Sequence, residues 1–293
     1  MSRRESSGAS PGTVEVDAVY LPGNGGPAQT TRFPVVSEDA LTLDVEGVGF
    51  YTLMWTPVAA SAEAQGYTVE DGVLGEIDDP EALALALGFA LSEGLISTVD
   101  DIRALSLCPD DPRVVRVQLR DTGSVQPARR DVVVNSSCGI CGPREILDDN
   151  ALGLQSVPDT LRLPRARLQA LMQSMREAQQ VFEETGGSHA AAMFDDAGII
   201  AVAEDLGRHN ALDKAIGRVL MARGVTAGCG ALLSSRLSLE MVLKAVRAGA
   251  EVMLAVSAPT SLAIRVADRF GVTLCGFVRE DRATVFTHPH RIT

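Results

Sequence analysis

From Ala190 onward the chain repeats one unit: a short apolar run, a polar turn, then an amphipathic stretch. Ala190–Phe194 and Ile199–Ala203 flank the turn Asp195-Asp196-Ala197-Gly198, and the loop 204–210, Glu-Asp-Leu-Gly-Arg-His-Asn, opens a helix running to Arg223. Ala231–Ser234 leads through Ser235-Arg236 into a helix around Glu240–Ala248. Val252–Val256 leads through Ser257-Ala258-Pro259-Thr260-Ser261 into another, and a last strand, Thr273–Val278, runs into Arg279-Glu280-Asp281-Arg282. Strands recurring at this spacing with helices between them predict an α/β sheet layered with helices.

The preceding half is less regular. The first 32 or so residues are rich in Ser, Gly and Pro, with Asn24-Gly25-Gly26-Pro27 as a breaker, which predicts a flexible tail over 1–32 and ordered structure from near Phe33. Loose alternation from Leu41 to Leu53 around Gly47 and Gly49 predicts a hairpin with one buried face. An Ala-, Gly- and acid-rich stretch after Pro57 reads as a surface insertion, about 58–79. Pro80 suits the first turn of a helix whose Leu83, Leu85, Leu87, Phe89 and Leu91 make it apolar on most sides, hence buried, with Gly94 as its stop. Val114–Leu119 and Asp131–Val134 read as strands, the second leading into Asn-Ser-Ser-Cys-Gly-Ile-Cys-Gly-Pro at 135–143. Beyond Pro164 one helix is expected to carry Leu168, Leu171, Met172, Met175 and Phe182 on a face and to close at Gly186-Gly187. The expected division is an N-terminal β-rich subdomain over 33–135 and a C-terminal α/β subdomain over 136–293.

A net charge of −12 argues against general affinity for nucleic acid or anionic membrane, so a phosphate-bearing ligand must meet a local basic patch. The five cysteines, Cys108, Cys138, Cys141, Cys229 and Cys275, are odd in number in a chain long enough to fold without disulfides, which reads as a reducing, cytoplasmic compartment. The start, Met-Ser-Arg-Arg-Glu-Ser-Ser-Gly, has no apolar run of a secretory signal, and no stretch elsewhere is long enough to span a bilayer.

In layered α/β folds ligands gather where strands end and helices begin. Arg208 with His209, Ser235 with Arg236, and Ser257 with Thr260 and Ser261 hold such positions and suit phosphates or the polar edge of a nucleobase. No P-loop and no Gly-x-Gly-x-x-Gly run opens a helix. Helix capping by the hydroxyls, with solvated arginines, explains the same residues without a ligand.

Cys138 and Cys141 sit at the spacing that lets two thiols act on one target. Structural zinc usually takes four Cys or His ligands, and here only two are paired; His288-Pro289-His290 lies at the chain end. A zinc deaminase carries His-x-Glu ahead of Pro-Cys-x-x-Cys, whereas His189-Ala190-Ala191 lacks the glutamate and follows the cysteines. A thioredoxin-like dithiol opens a long helix near the start of a small domain, while here Gly142-Pro143 follows at mid-chain. Nucleophilic sulfur chemistry on a glycine-rich loop needs a thiol pKa about one to two units below 8.5, within reach of a helix start plus a cation such as Arg144.

Seven stretches carry a family resemblance. They are 87–96 (Leu-Gly-Phe-Ala-Leu-Ser-Glu-Gly-Leu-Ile), 136–142 (Ser-Ser-Cys-Gly-Ile-Cys-Gly), 185–194 (Thr-Gly-Gly-Ser-His-Ala-Ala-Ala-Met-Phe) and 204–214 (Glu-Asp-Leu-Gly-Arg-His-Asn-Ala-Leu-Asp-Lys), followed by 235–241, 257–263 and 273–279. In these the chain resembles the formate dehydrogenase accessory sulfurtransferase family, FdhD, over roughly 35–290. The resemblance implies a cytidine-deaminase-like α/β fold, commonly dimeric. It implies a sulfur carrier that accepts a persulfide from a cysteine desulfurase and passes sulfur to the bis(molybdopterin guanine dinucleotide) molybdenum cofactor before formate dehydrogenase receives it. Cys138 would hold the persulfide and Cys141 a supporting or resolving role. Cofactor binding would fall on Phe277, Val278, Arg279, Glu280, Asp281 and Arg282, aided by Arg208, His209, Arg236, Ser257 and Thr260, with no resident metal. The insertion after Pro57 and the tail before Phe33 depart from the family pattern. Two other classes stand beside this one: a cofactor chaperone that moves no sulfur, and a structural zinc protein.

Overall fold

Strand structure begins at Thr13, well before the expected start near Phe33. In the computed structural model, which describes residues 10–58, 66–68, 81–121, 132–134, 154–280 and 282–293, β1 (Thr13–Tyr20) pairs antiparallel with β2 (Gln29–Val36). The Gly- and Pro-rich breaker at 24–27 is the turn of this ribbon rather than part of a tail. What holds the ribbon is tertiary: it packs on a later helix, where the Ser10 hydroxyl donates to Glu184 at 2.5 Å.

The predicted hairpin follows as β3 (Asp39–Val45) and β4 (Gly49–Trp55), and its period-two burial puts Leu41, Leu43, Tyr51 and Leu53 on one face. β5 (Gly66–Thr68), β6 (Ile102–Cys108), β7 (Asp111–Leu119) and β8 (Val132–Val134) complete a six-stranded sheet in the order β5-β6-β7-β3-β4-β8. β6 carried no signal recognised in the sequence.

Between β5 and β6 lies α1 (Glu81–Ser92), buried at every position as its all-round apolar pattern predicts. Gly94 ends it in the left-handed region at φ 77°.

Past residue 154, α2 (Arg165–Glu177) and α3 (Gln180–Thr185) replace the single helix expected through Phe182. The break has a tertiary cause. The buried carboxylate of Glu204 accepts from the backbone N–H groups of Val181 and Phe182, both at 2.9 Å, and so satisfies the start of a second helix.

The repeating half gives β9 (His189–Phe194), β10 (Ile199–Asp205), α4 (Arg208–Arg223), β11 (Gly230–Leu233), α5 (Leu239–Arg247), β12 (Val252–Ala255), α6 (Ser261–Phe270), β13 (Thr273–Arg279) and β14 (Arg282–Val285). The second sheet runs β10-β9-β11-β12-β13-β14, with β11, β12 and β13 parallel and the rest antiparallel to their neighbours. Strand β14 was not anticipated; it pairs back on β13 with Arg279 opposite Arg282, so Phe277–Arg279 close β13, with an irregularity after Gly276, and Arg282 opens β14.

Both faces of this sheet are covered, which is why β11 and β12 are unbroken apolar runs. Leu168, Leu171, Met172 and Met175 of α2 cover Ala192, Leu232 and Leu254 on one face, while α4, α5 and α6 cover Met193, Leu233 and Met253 on the other. That second core is continuous through α1 with the inner face of the first sheet. The layered α/β architecture with a smaller β-rich N-terminal part is therefore as the sequence predicts. No helix among the described residues is long and apolar enough to cross a membrane.

Candidate functional site

The carboxyl ends of β11, β12 and β13 lie on one edge of the second sheet, and antiparallel β9 brings its amino end, His189, to that edge. Asp205 at the end of β10 stands opposite His189, so the start of α4 joins the group. The three strand-end turns and the Phe277–Arg282 segment thus share one edge. Cys138, Cys141, Arg144, Asp281 and most of the 58–79 insertion lie outside the described residues.

The segment is held in an unusual backbone state. Phe277 and Glu280 have φ of 55° and 54°, which for residues with a Cβ costs about 1–3 kcal/mol each and persists where the surroundings fix it. Phe277 donates its N–H to the Ser257 carbonyl at 3.2 Å and sets its ring against Phe286, centroids 6.4 Å apart. A Cβ on Gly276 would come within 2.9 Å of the same carbonyl, so glycine is what lets the strand approach the β12–α6 turn.

Between this edge and α2 opens a cleft of about 930 Å³. Ser257, Val278, Arg279 and Glu280 line it. Arg208, His209, Arg236, Thr260, Phe277 and Arg282 share the edge but stand outside the lining. Thr260 is a cap: its hydroxyl accepts from Ala263 N–H at 3.3 Å, the ligand-free role foreseen for such residues. Arg236 is exposed on its turn, and Arg282 reaches Glu280 at 3.9 Å. Sequence reasoning did not assign Ser188, His189 or Ser234, nor Gln169, Gln173, Arg176 and Gln179 from the α2 side, all of which line the cleft. The spacing of Gln169, Gln173 and Arg176 puts them on one helical face, a signal that was available.

At the other end of this edge the two sheets are fastened together. Lys214 Nζ, fully buried, lies 2.8 Å from Asp205 Oδ2 and 3.1 Å from Glu81 Oε1 and donates to the Thr56 carbonyl at 2.6 Å, with its charge 5.0 Å from the centre of the Trp55 ring. Asp205 in turn accepts from Thr56 N–H at 2.9 Å, and Asn210 donates to the Met54 carbonyl at 2.7 Å. The carboxyl end of β4 is thereby pinned to the start of α4. β8 runs parallel to β4 with Val134 opposite Leu53, so the chain leaves β8 toward the same junction. Cys138 is the fourth residue after Val134, within about 14 Å of chain reach.

His209, at the first turn of α4, is governed by its burial, which together with the charges of Lys244 and Arg208 pushes its imidazole down to about 4. Between pH 6.5 and about 4 the unfolded chain therefore holds the proton and the folded chain does not, so stability is present above pH 6.5 and is lost as the pH falls. Asp213, raised by burial to about 6 despite Lys244, has the opposite slope between 3.8 and 6. A comparison with His209→Gln isolates the histidine. Denaturant titrations should show the stability of the natural protein relative to this variant falling by about 2–3 kcal/mol from pH 7.5 to pH 4. A constant difference over that range would show that His209 is not held neutral.

A layered α/β protein with a cleft at the carboxyl edge of its parallel strands, and with a strand of the neighbouring sheet that runs toward that edge and is followed in sequence by Cys-x-x-Cys, is the class these features define. The family model for FdhD/NarQ matches residues 80–293, and the chain belongs to the FdhD/NarQ family. It is 36% identical over 262 residues to the sulfur carrier protein FdhD of Bordetella bronchiseptica, covering 88% of this chain and 87% of that one. To the sulfur carrier protein FdhD of Sulfurisphaera tokodaii it is 41% identical over 245 residues, 83% of this chain and 84% of that one. A crystal structure described as a formate dehydrogenase accessory protein from Desulfotalea psychrophila superposes with a TM-score of 0.71 over 97% of this chain and 100% of that one, at 22% identity, and so shares the fold.

Proposed function

We propose that this protein is a sulfur carrier serving formate dehydrogenase, with Cys138 as its persulfide-bearing residue and the bis(molybdopterin guanine dinucleotide) molybdenum cofactor as its acceptor. The observation that carries the reading is the junction at the end of β4. There β4, which pairs with the strand preceding Cys138, is pinned to the sheet edge that bears the cleft, and membership of a family whose relatives are named sulfur carriers agrees with the reading.

In loading, the Cys138 thiolate attacks the outer sulfur of a cysteine desulfurase persulfide. A new S–S bond forms on Cys138, the donor's S–S bond breaks, and the donor cysteine leaves as thiolate. In delivery, the Cys141 thiolate attacks Cys138 Sγ, closing a disulfide and releasing the outer sulfur as hydrosulfide for the molybdenum centre. The pair of electrons gained by the sulfur comes from the two thiols, and a low-molecular-mass thiol then reduces the disulfide. The cofactor's anionic guanine nucleotide arms would lie along the Phe277–Arg282 segment, where Arg279 and Arg282 offset the protein's net negative charge.

Incubation with a cysteine desulfurase and cysteine should add one sulfur to the intact mass, removable by dithiothreitol. Cys138→Ala should abolish that gain, whereas Cys141→Ala should load and then hold its sulfur. Loading that survives in Cys138→Ala sinks the assignment.

A further inference from the structure

The cleft beside α2 contains a polar side chain that the fold itself leaves unused. Gln179, in the turn between α2 and α3, is only 8% exposed and lines the cleft, yet its amide makes no hydrogen bond among the described residues. The side chain is held by its surroundings while its amide opens onto the cleft with a donor and an acceptor unpaired within the protein, so both are available to a ligand there. Its surroundings narrow the choice. Met172, Met175, Val256 and Val278 form apolar walls, and Ser234, whose hydroxyl accepts from Ala190 N–H at 2.9 Å, keeps its own O–H free to donate. His189 also lines the cleft with no hydrogen bond to its ring among the described residues; burial and the charge of Arg208 keep it neutral, with one donor and one acceptor. Arg176 and Arg279 line the same cleft, are exposed and carry no ion pair among the described residues, while Glu280 beside them turns toward Arg282. Neutral donor and acceptor groups between apolar walls, with unpaired cations at the rim, match a flat heterocycle bearing a phosphate tail.

We propose that Gln179 is the base-binding residue of this cleft, its amide pairing with the hydrogen-bonding edge of the base of a nucleoside diphosphate while Arg176 and Arg279 meet the phosphates. The inference rests on the cofactor reading above and adds the residue that pairs with the base. An amide offers a donor and an acceptor side by side. These complement the carbonyl oxygen and ring N–H of guanine, and equally the ring nitrogen and amino group of adenine. A carboxylate in its place only accepts, which suits the two adjacent N–H donors of guanine and leaves adenine's ring nitrogen facing an acceptor.

Binding of GDP, ADP and inorganic pyrophosphate to the full chain, measured by calorimetry, separates the outcomes. Gln179→Leu should weaken both nucleotides by about tenfold or more and leave pyrophosphate within about twofold. Gln179→Glu should raise the GDP-to-ADP preference by about tenfold, a ratio insensitive to the added charge because the phosphates are the same. Nucleotide binding that is unchanged in Gln179→Leu, or a GDP-to-ADP ratio unchanged in Gln179→Glu, overturns the inference and leaves the cofactor reading standing. Failure of the natural protein to bind GDP overturns the cofactor reading, and this inference with it.

Discussion

Gly88→Ala and Gly217→Ala are each expected to lower the stability of the protein by about 3 kcal/mol, against a total of roughly 5–15 kcal/mol for a folded domain. Placed on Gly88, a Cβ would overlap the Asp213 carbonyl, and on Gly217 it would overlap the Ala84 carbonyl. Helices α1 and α4 therefore cross backbone against backbone through a reciprocal pair of glycines. Two effects compete at these positions. Alanine improves helix propensity by about 1 kcal/mol, but the overlap is with main chain that cannot rotate away, so the helices must separate. Separation also strains the hydrogen bond from Ser92 to Asp213, 2.7 Å, and with it the seat of Lys244. Sterics win, and thermal unfolding should shift down by roughly 5–10 °C for either change. Because both methyl groups force the same separation, the double variant should lose distinctly less than the sum of the two. A shift below about 2 °C for both single variants would mean that the crossing has slack.

That crossing illustrates what the sequence could and could not disclose. A helix carrying Leu83, Leu85, Leu87, Phe89 and Leu91 has no polar side to offer water, so its burial is legible from its own residues. The partner that buries it is not, since glycine in mid-helix reads locally as a weak point and only the facing helix turns it into a contact. The β1–β2 ribbon shows the opposite error. Val14, Val16 and Ala18 alternate in strand fashion, but Ser, Gly and Pro around them dominate the composition, and the helix that holds the ribbon lies far along the chain. The break between α2 and α3 was hidden for a similar reason, because the carboxylate that caps α3 comes from Glu204 on β10. At the candidate site, Ser257 was legible as strand-end chemistry and the cysteine pair as a motif, whereas the Phe277–Arg282 segment entered only through the family resemblance. Gln179 was not, because its significance is burial in a turn whose existence depends on Glu204.

Lys214→Met is expected to be about as damaging to stability and more informative about mechanism. Removing the ammonium leaves the Asp205 carboxylate, fully buried, with N–H donors but without the cation 2.8 Å away, a change that typically costs about 3–5 kcal/mol. The penalty comes from the stranded charge rather than from the lost attraction, so adding Asp205→Asn to Lys214→Met should recover much of it. A failure to recover would place the loss at the Glu81 carboxylate, 3.1 Å from the same ammonium, or in packing against Trp55. The functional consequence follows from what Lys214 joins, since it ties the Thr56 carbonyl at the end of β4 to the start of α4 and so fixes the strand beside β8 relative to the cleft edge. Accepting sulfur from a donor protein requires only that Cys138 be reachable, whereas delivering it requires the cysteine segment and the cleft to keep their relative position. The stabilised double variant should therefore load one sulfur in the mass assay at close to the natural rate, yet activate formate dehydrogenase at least about tenfold less well, as expected when reacting groups lose their alignment. Equal activation by the double variant and the natural protein would show that the junction serves stability alone.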